Sequence, residues 1–204
     1  MRNAITLAIT GASGAPYAIR LLQVLAELSI PVYCLFSDTS KVVLKTEYDT
    51  EFPDKTEHLP LFFSEKFSLP LERMHFIDNN DWFSCIASGS AAPSSMVICP
   101  CSMGTLSAVA TGASHSLLER AAAVAIKERH NLILVARESP VSAIHLQQMT
   151  DLAKLGVCIL PASPSFYHSP QTIQDLIDSV VQRILNQLNI HTTLIKKWGT
   201  DAGL

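Results

Sequence analysis

The sequence predicts an α/β fold, a mainly parallel sheet with helices on both faces. Short apolar runs rich in β-branched residues alternate along the chain with segments of helical period, and strands separated by helices pair in parallel. The turns after the apolar runs concentrate small, hydroxyl and charged residues. The 204 residues contain no internal repeat and no composition shift that would mark a second domain. One domain over residues 1–190 is therefore expected, with 191–204 as a C-terminal tail, either an oligomer contact or partly disordered.

Ile5-Thr6-Leu7-Ala8-Ile9-Thr10 reads as the first buried strand and Ala18 to Ala26 as the helix after it. Between them lies Gly11-Ala12-Ser13-Gly14, a turn of the kind that presents backbone N–H groups and a helix N-terminus to an anion. Glycine at both ends permits a tight turn and a close ligand, although a plain strand–helix connection would look the same. Pro31 to Phe36 is a second strand. Ser37-Asp38 is a helix N-cap signature ahead of Lys41 to Glu47. Residues 50–72, with prolines at 53, 60 and 70, show no sustained period and read as irregular.

Met74 to Ile77 forms a short strand broken by Asp78-Asn79-Asn80-Asp81, and Trp82 and the small-residue loop Ala87 to Pro93 follow. Met96 to Pro100 is a central strand, and Ser102 to Ala110 a helix ended by Gly112. Leu117 to Arg129 (helix), Leu132 to Val135 (strand), Ser142 to Leu155 (helix) and Val157 to Pro161 (strand) complete the alternation. Ile173, Leu176, Ile177, Val180, Val181, Ile184, Leu185 and Leu188 draw the apolar stripe of a long last helix.

Composition excludes several classes. Charged residues are 16% of the chain against 48% hydrophobic, a shortage that buried helix faces in an oligomer would explain. The net charge of −3 and the lack of a basic stretch argue against nucleic acid as a partner. No apolar run reaches membrane-spanning length and no signal-peptide core precedes the first strand, so neither membrane insertion nor export is expected, and the cytoplasm is. The five cysteines form no disulfide framework, as suits a reducing compartment. Cys99-Pro100-Cys101 lacks the second pair that zinc needs, so no metal is expected. Neither Gly-x-Ser-x-Gly nor His-Glu-x-x-His is present, which removes the common hydrolase templates.

In parallel sheets, ligands bind beyond the carboxyl ends of the strands. Gly11–Gly14, Ser37-Asp38, Cys101–Thr105, Arg137-Glu138 and Pro161–Tyr167 should therefore share one edge. Ser13, Ser37, Ser102, Gly104 and Thr105 fall at helix N-termini. Capping explains each singly, but three such termini on one edge favour a phosphorylated ligand. Arg120 and Lys127, seven residues apart, share a helix face. Arg137 adjoins Glu138, Glu47 closes the second helix, and Arg183 lies off the apolar stripe. Trp82 and Tyr167 sit in loops, where core packing is the default and a flat ligand the alternative.

Taken in order, Gly11-Ala-Ser-Gly14, Ala87-Ser-Gly-Ser90, Cys99-Pro-Cys-Ser-Met-Gly-Thr-Leu-Ser-Ala-Val-Ala-Thr-Gly112, Arg120-Ala121, Lys127-Glu128-Arg129, Arg137-Glu138, Ile144-His145-Leu146 and Ile159-Leu-Pro-Ala162 through Phe166-Tyr167 resemble the UbiX-type flavin prenyltransferases. The resemblance runs from residue 5 to about 190. It implies a three-layer flavodoxin-like or Rossmann-like sandwich that binds FMN. It also implies metal-independent transfer of a dimethylallyl group from dimethylallyl phosphate to N5 and C6 of reduced FMN. The product, prenylated FMN, would serve a UbiD-type decarboxylase, in many bacteria for ubiquinone synthesis, and the enzyme would be a dodecamer with active sites between subunits.

Position by position, the resemblance assigns Gly11, Ala12, Ser13, Ser37, Ser102, Met103, Gly104, Thr105 and Arg137 to FMN, with Trp82 lining the flavin. Tyr167 and Arg183 would hold the prenyl phosphate, and Arg120 and Lys127 would complete its cationic pocket. Glu47 and Glu138 would move protons. His130, where the family often has arginine, and Gln147-Gln148, where it often has Glu-Asn, depart from the family pattern away from the expected chemistry, with subunit contacts as what they would alter. Fixed Arg, Lys and Tyr donors suit a phosphate leaving group and can do the work of a magnesium ion. Since the other strand-end turns offer as much to the FMN phosphate, Ser13 is expected beside the flavin ring. Two rival readings are a flavin-dependent cysteine decarboxylase, for which no Pro-x-Met-Asn-type substrate segment is present, and a non-catalytic subunit that delivers FMN to a decarboxylase.

Overall fold

The structure, a computed structural model, describes residues 3–195. Six strands form one sheet: β1 (Ile5–Ile9), β2 (Val32–Phe36), β3 (Met74–Phe76), β4 (Ser95–Cys101), β5 (Asn131–Ala136) and β6 (Cys158–Pro161). All pair in parallel, in the order β3-β2-β1-β4-β5-β6. This bears out the expected three-layer sandwich and makes it the Rossmann variant, whose crevice opens where the order reverses, between β1 and β4.

The helices are α1 (Ala15–Glu27), α2 (Asp38–Tyr48), α3 (Leu59–Phe67), α4 (Met103–Thr111), α5 (Leu117–Lys127), α6 (Ala143–Lys154) and α7 (Ile173–Gln187). Alternate strand residues serve opposite faces. Leu7, Ile9, Cys34, Val97, Cys99, Ile133 and Val135 pack under α1, α3 and α7. Ala8, Leu35, Met96, Ile98, Leu132 and Leu134 pack under α4 and α5. A sheet covered on both faces requires the near-continuous apolar strands seen in the sequence. Arg20 Nε on α1 meets Asp178 Oδ1 on α7 at 2.7 Å, tying the two helices together. No helix among the described residues is long and apolar enough to cross a membrane.

One expectation fails. Residues 50–72 contain a 3-10 turn (Thr56–His58) that leads directly into α3. The prolines concealed it, yet Pro60 falls in the first turn, where a missing N–H costs nothing. Leu59, Phe63 and Phe67, four apart, form its buried stripe. Phe63, fully buried, is the hub of an aromatic cluster with centroids 5.5 Å from Phe36, 5.3 Å from Phe67 and 5.1 Å from Phe76. Beyond α7, the Gln182 side chain accepts from Leu194 N at 2.7 Å and donates to Thr192 O at 3.1 Å, holding the start of the tail on the helix. The rest of the expected tail, 196–204, lies outside the described residues.

The aromatic hub gives a direct test of α3. Phe63→Ala should cost about 3–5 kcal/mol in urea unfolding. A loss below about 1 kcal/mol would mean that α3 does not pack on the sheet.

Candidate functional site

The carboxyl edge of the sheet begins with Thr10 and the turn at Gly11–Gly14. A Cβ on Gly11 would lie 2.3 Å from Thr39 Oγ1 and 3.3 Å from its backbone carbon, so only glycine admits the first turn of α2 this close. Gly14 has φ +117°, which disfavours any other residue. The N-terminus of α1 is not open to a ligand. Gly14 N donates to Glu47 Oε1 at 2.9 Å and Ala15 N to Glu47 Oε2 at 2.8 Å. Pro16, next in the helix, has no N–H to offer. The anion at this helix terminus is the protein's own carboxylate, and a phosphate there would lose these donors and face a like charge. Gly11–Gly14 thus offers a phosphate no open helix terminus.

The same turn is held from the other side, since Arg137 Nε donates to Ser13 O at 3.0 Å. The Ser13–Gly14 peptide thus has its oxygen on a guanidinium and its N–H on a carboxylate. Ser13 itself is exposed. Tyr17, on the first turn of α1, packs against Gly14, and burial, then the neighbouring Cys99 and Glu47, push its phenol up against the opposing pull of Arg137.

Two further helix N-termini meet here. At α2, Ser37 Oγ accepts from Ser40 N at 3.1 Å and lies 3.0 Å from Thr39 Oγ1. At α4, Ser102 Oγ accepts from Thr105 N at 3.2 Å and lies 3.0 Å from Thr105 Oγ1. Both serines therefore do act as caps. The N–H groups of Met103 and Gly104 are two of the four that an α-helix leaves without an intrahelical partner. A Cβ on Gly104 would meet nothing nearer than Ser102 Oγ at 3.9 Å, so neither crowding nor a positive φ demands glycine there. It leaves the backbone of the α4 terminus bare, as an approaching phosphate or ring edge requires. By these donors, a phosphorylated flavin fits the edge.

The remaining candidates divide. Arg137 N donates to Cys101 O at 3.3 Å, which sets Arg137-Glu138 beside the β4–α4 turn. Glu138 is exposed and accepts from Ser139 N at 3.1 Å through Oε1. Arg120 and Lys127 both lie on α5, about 10 Å apart along its axis. Arg120 Nε donates to Ala87 O at 3.2 Å. Lys127 pairs with Glu128, whose carboxyl it holds below the usual range, beside the loop at Gly89. Because α5 ends just before Asn131, the first residue of β5, Lys127 stands at the opposite edge of the sheet in its own chain. Ser165 N donates to Ser179 Oγ at 3.2 Å, bringing the loop of Tyr167 onto α7 one turn before Arg183. Tyr167 is 78% exposed and Trp82 46%, so neither is the core residue that the default reading made it.

Burial pushes the Cys101 thiol up to about 12 and that of Cys99 higher still, so both are inert core groups. A cavity of about 290 Å³ lined by Asn3, Ile5, Ser95 and Ile190 opens at the far edge, away from these groups. Among the described residues, no three His, Cys, Asp or Glu side chains are grouped to hold a metal ion. Sequence reasoning passed over Thr10, Thr39 and Tyr17, because each reads as an ordinary strand or helix residue. Only the register of strand, turn and helix places them around Gly11–Gly14.

The Flavoprotein family model matches residues 1–185. The flavin prenyltransferase UbiX of Pseudomonas aeruginosa is 51% identical over 195 residues, covering 96% of this chain and 93% of that one. AnUbiX, solved with FMN and dimethylallyl pyrophosphate, superposes with TM-score 0.83 at 34% identity, over 97% of this chain and 98% of that chain. A dodecameric FMN-dependent UbiX-like decarboxylase from Escherichia coli O157:H7 gives TM-score 0.82 at 33% identity, over 96% and 98%. The peptidyl-cysteine decarboxylase EpiD shares the fold alone, at 14% identity and TM-score 0.59 over 93% and 99%.

If Glu47 caps α1, Glu47→Ala should lower stability in urea by about 1 kcal/mol with an unchanged m-value. A change within about 0.2 kcal/mol would mean that the carboxylate does not hold the turn.

Proposed function

The chain belongs to the Flavoprotein family and is, within it, a flavin prenyltransferase, and from that premise we propose how its residues divide the work of moving a dimethylallyl group from dimethylallyl phosphate to N5 and C6 of reduced FMN. The observation that carries the reading is the contrast between two helix termini. That of α1 is closed by Glu47, while that of α4 lies bare at Gly104 among the hydroxyls of Ser102 and Thr105. The FMN phosphate belongs with Ser37, Ser102, Met103, Gly104, Thr105 and Arg137. Gly11, Ala12 and Ser13 then run along the ring, and Trp82 covers it.

Bound and reduced, FMN supplies the nucleophile, so the protein needs none of its own. The protein holds the leaving group. Tyr167, Arg183, Arg120 and Lys127 form a cationic pocket for the prenyl phosphate, stabilising charge as it grows on the departing oxygens without a metal. Both oxygens of Glu47 bind the amides of Gly14 and Ala15, so it holds the turn. Proton removal from the flavin falls to a glutamate, Glu47 or the exposed Glu138 beside Arg137, or to the departed phosphate.

Lys127 reaches such a pocket only from a neighbouring subunit, since its own chain places it at the other edge of the sheet. The active enzyme is accordingly a homo-oligomer, a dodecamer like its E. coli O157:H7 neighbour. In this reading residues 1–190 form the FMN domain. The enzyme works in the cytoplasm and passes prenylated FMN to a UbiD-type decarboxylase.

Anaerobic incubation with reduced FMN and dimethylallyl phosphate should give a flavin heavier by one prenyl unit in mass spectrometry. Unchanged FMN would overturn the reading and favour an FMN-delivery subunit. Ser13→Ala should retain FMN and lose at least tenfold in turnover. Loss of FMN itself would return Ser13 to phosphate binding.

A further inference from the structure

We infer that Thr10 is a positioning residue for flavin binding, its hydroxyl setting the α4 terminus against the end of β1. The inference rests on the flavin prenyltransferase reading and gives a role to a residue outside the assigned site set. The β1–β4 ladder ends at the pair Ala8–Ile98. Beyond that pair the end of β1 is joined to the end of β4 through Thr10, by its backbone N–H and by its side chain. Its Oγ1 donates to Pro100 O at 2.7 Å and accepts from Ser102 N at 2.8 Å, while Thr10 N also donates to Pro100 O at 3.3 Å.

Thr10 is 1% exposed, so the hydroxyl meets no water and its role is confined to these two bonds. Ser102 is the N-cap of α4, and its position decides where the N–H groups of Met103 and Gly104 point. Between Ile98 and Cys101 the β4–β5 register shifts, and pairing resumes at Cys101–Ala136, so β5 holds the end of β4 from its other side while Thr10 holds it from β1. Thr10 is thus the link that carries the position of β1, and of the Gly11–Gly14 turn after it, to the phosphate end of the site. A β-branched residue at the end of an apolar strand looks like one more core position, and its polar use shows only in the fold.

The test compares Thr10→Val, which keeps the shape and loses both bonds, with Thr10→Ser, which keeps them. FMN binding to the apoprotein is read by flavin fluorescence quenching, with circular dichroism and the oligomeric state as controls. Thr10→Val should bind FMN at least tenfold more weakly while the KM for dimethylallyl phosphate in FMN-saturated enzyme stays within about twofold, and Thr10→Ser should restore FMN affinity. A general loss of structure would move both constants and would not be rescued. Wild-type affinity in folded Thr10→Val would overturn the inference. Should that variant not fold, hydrogen exchange of the wild-type Ser102 amide decides, since exchange as fast as an exposed amide would equally overturn it and strong protection supports it. Failure of the wild-type protein to bind FMN would instead count against the flavin prenyltransferase reading itself.

Discussion

The carboxylate of Glu47 on the amides of Gly14 and Ala15, at the N-terminus of α1, is the constraint around which the site is arranged. It fills with a fixed internal anion the helix terminus that a Rossmann-type sheet ordinarily offers to a ligand phosphate. Two consequences follow. The Gly11–Gly14 turn becomes a rigid wall, pinned through one peptide between Glu47 and Arg137. In the proposed reading the incoming phosphate then uses donors elsewhere on the edge, where α2 and α4 supply hydroxyl caps and bare amides. A pinned wall suits an orientation-limited reaction, in which reacting atoms must be held within bonding distance and little chemistry is asked of the protein.

The fold was largely legible from periodicity. β1, β4 and β5 are continuous apolar runs because both of their faces are covered, and the parallel pairing followed from the helices between them. The caps at Ser37 and Ser102 were also readable, as local chemistry confined to three or four residues. α3 was not, because three nearby prolines outweighed a stripe of only three buried residues and the aromatic partners of Phe63 come from distant segments. The site was legible as residue types on one edge, but its internal pairings were not. Glu47 reaches its amides across more than thirty residues of chain and Arg137 reaches Ser13 across more than a hundred, separations that no local pattern encodes.

The shortage of charge in the sequence has a counterpart on the surface. Phe83, Ile144, Leu146, Phe166 and Ile173 are exposed large apolar residues, although each face of the sheet has its own complete layer of helices. Surface of this kind matches a chain whose cationic residues are split between the two edges of the sheet. Arg137 lies at one and Lys127 at the other, so the proposed site calls for more than one copy.

The most direct test is the structure of the complex with FMN. Phosphate oxygens should lie within hydrogen-bonding distance of the α2 and α4 termini while Glu47 remains on Gly14 N and Ala15 N. Phosphate bound to those two amides, with Glu47 displaced, would contradict this arrangement.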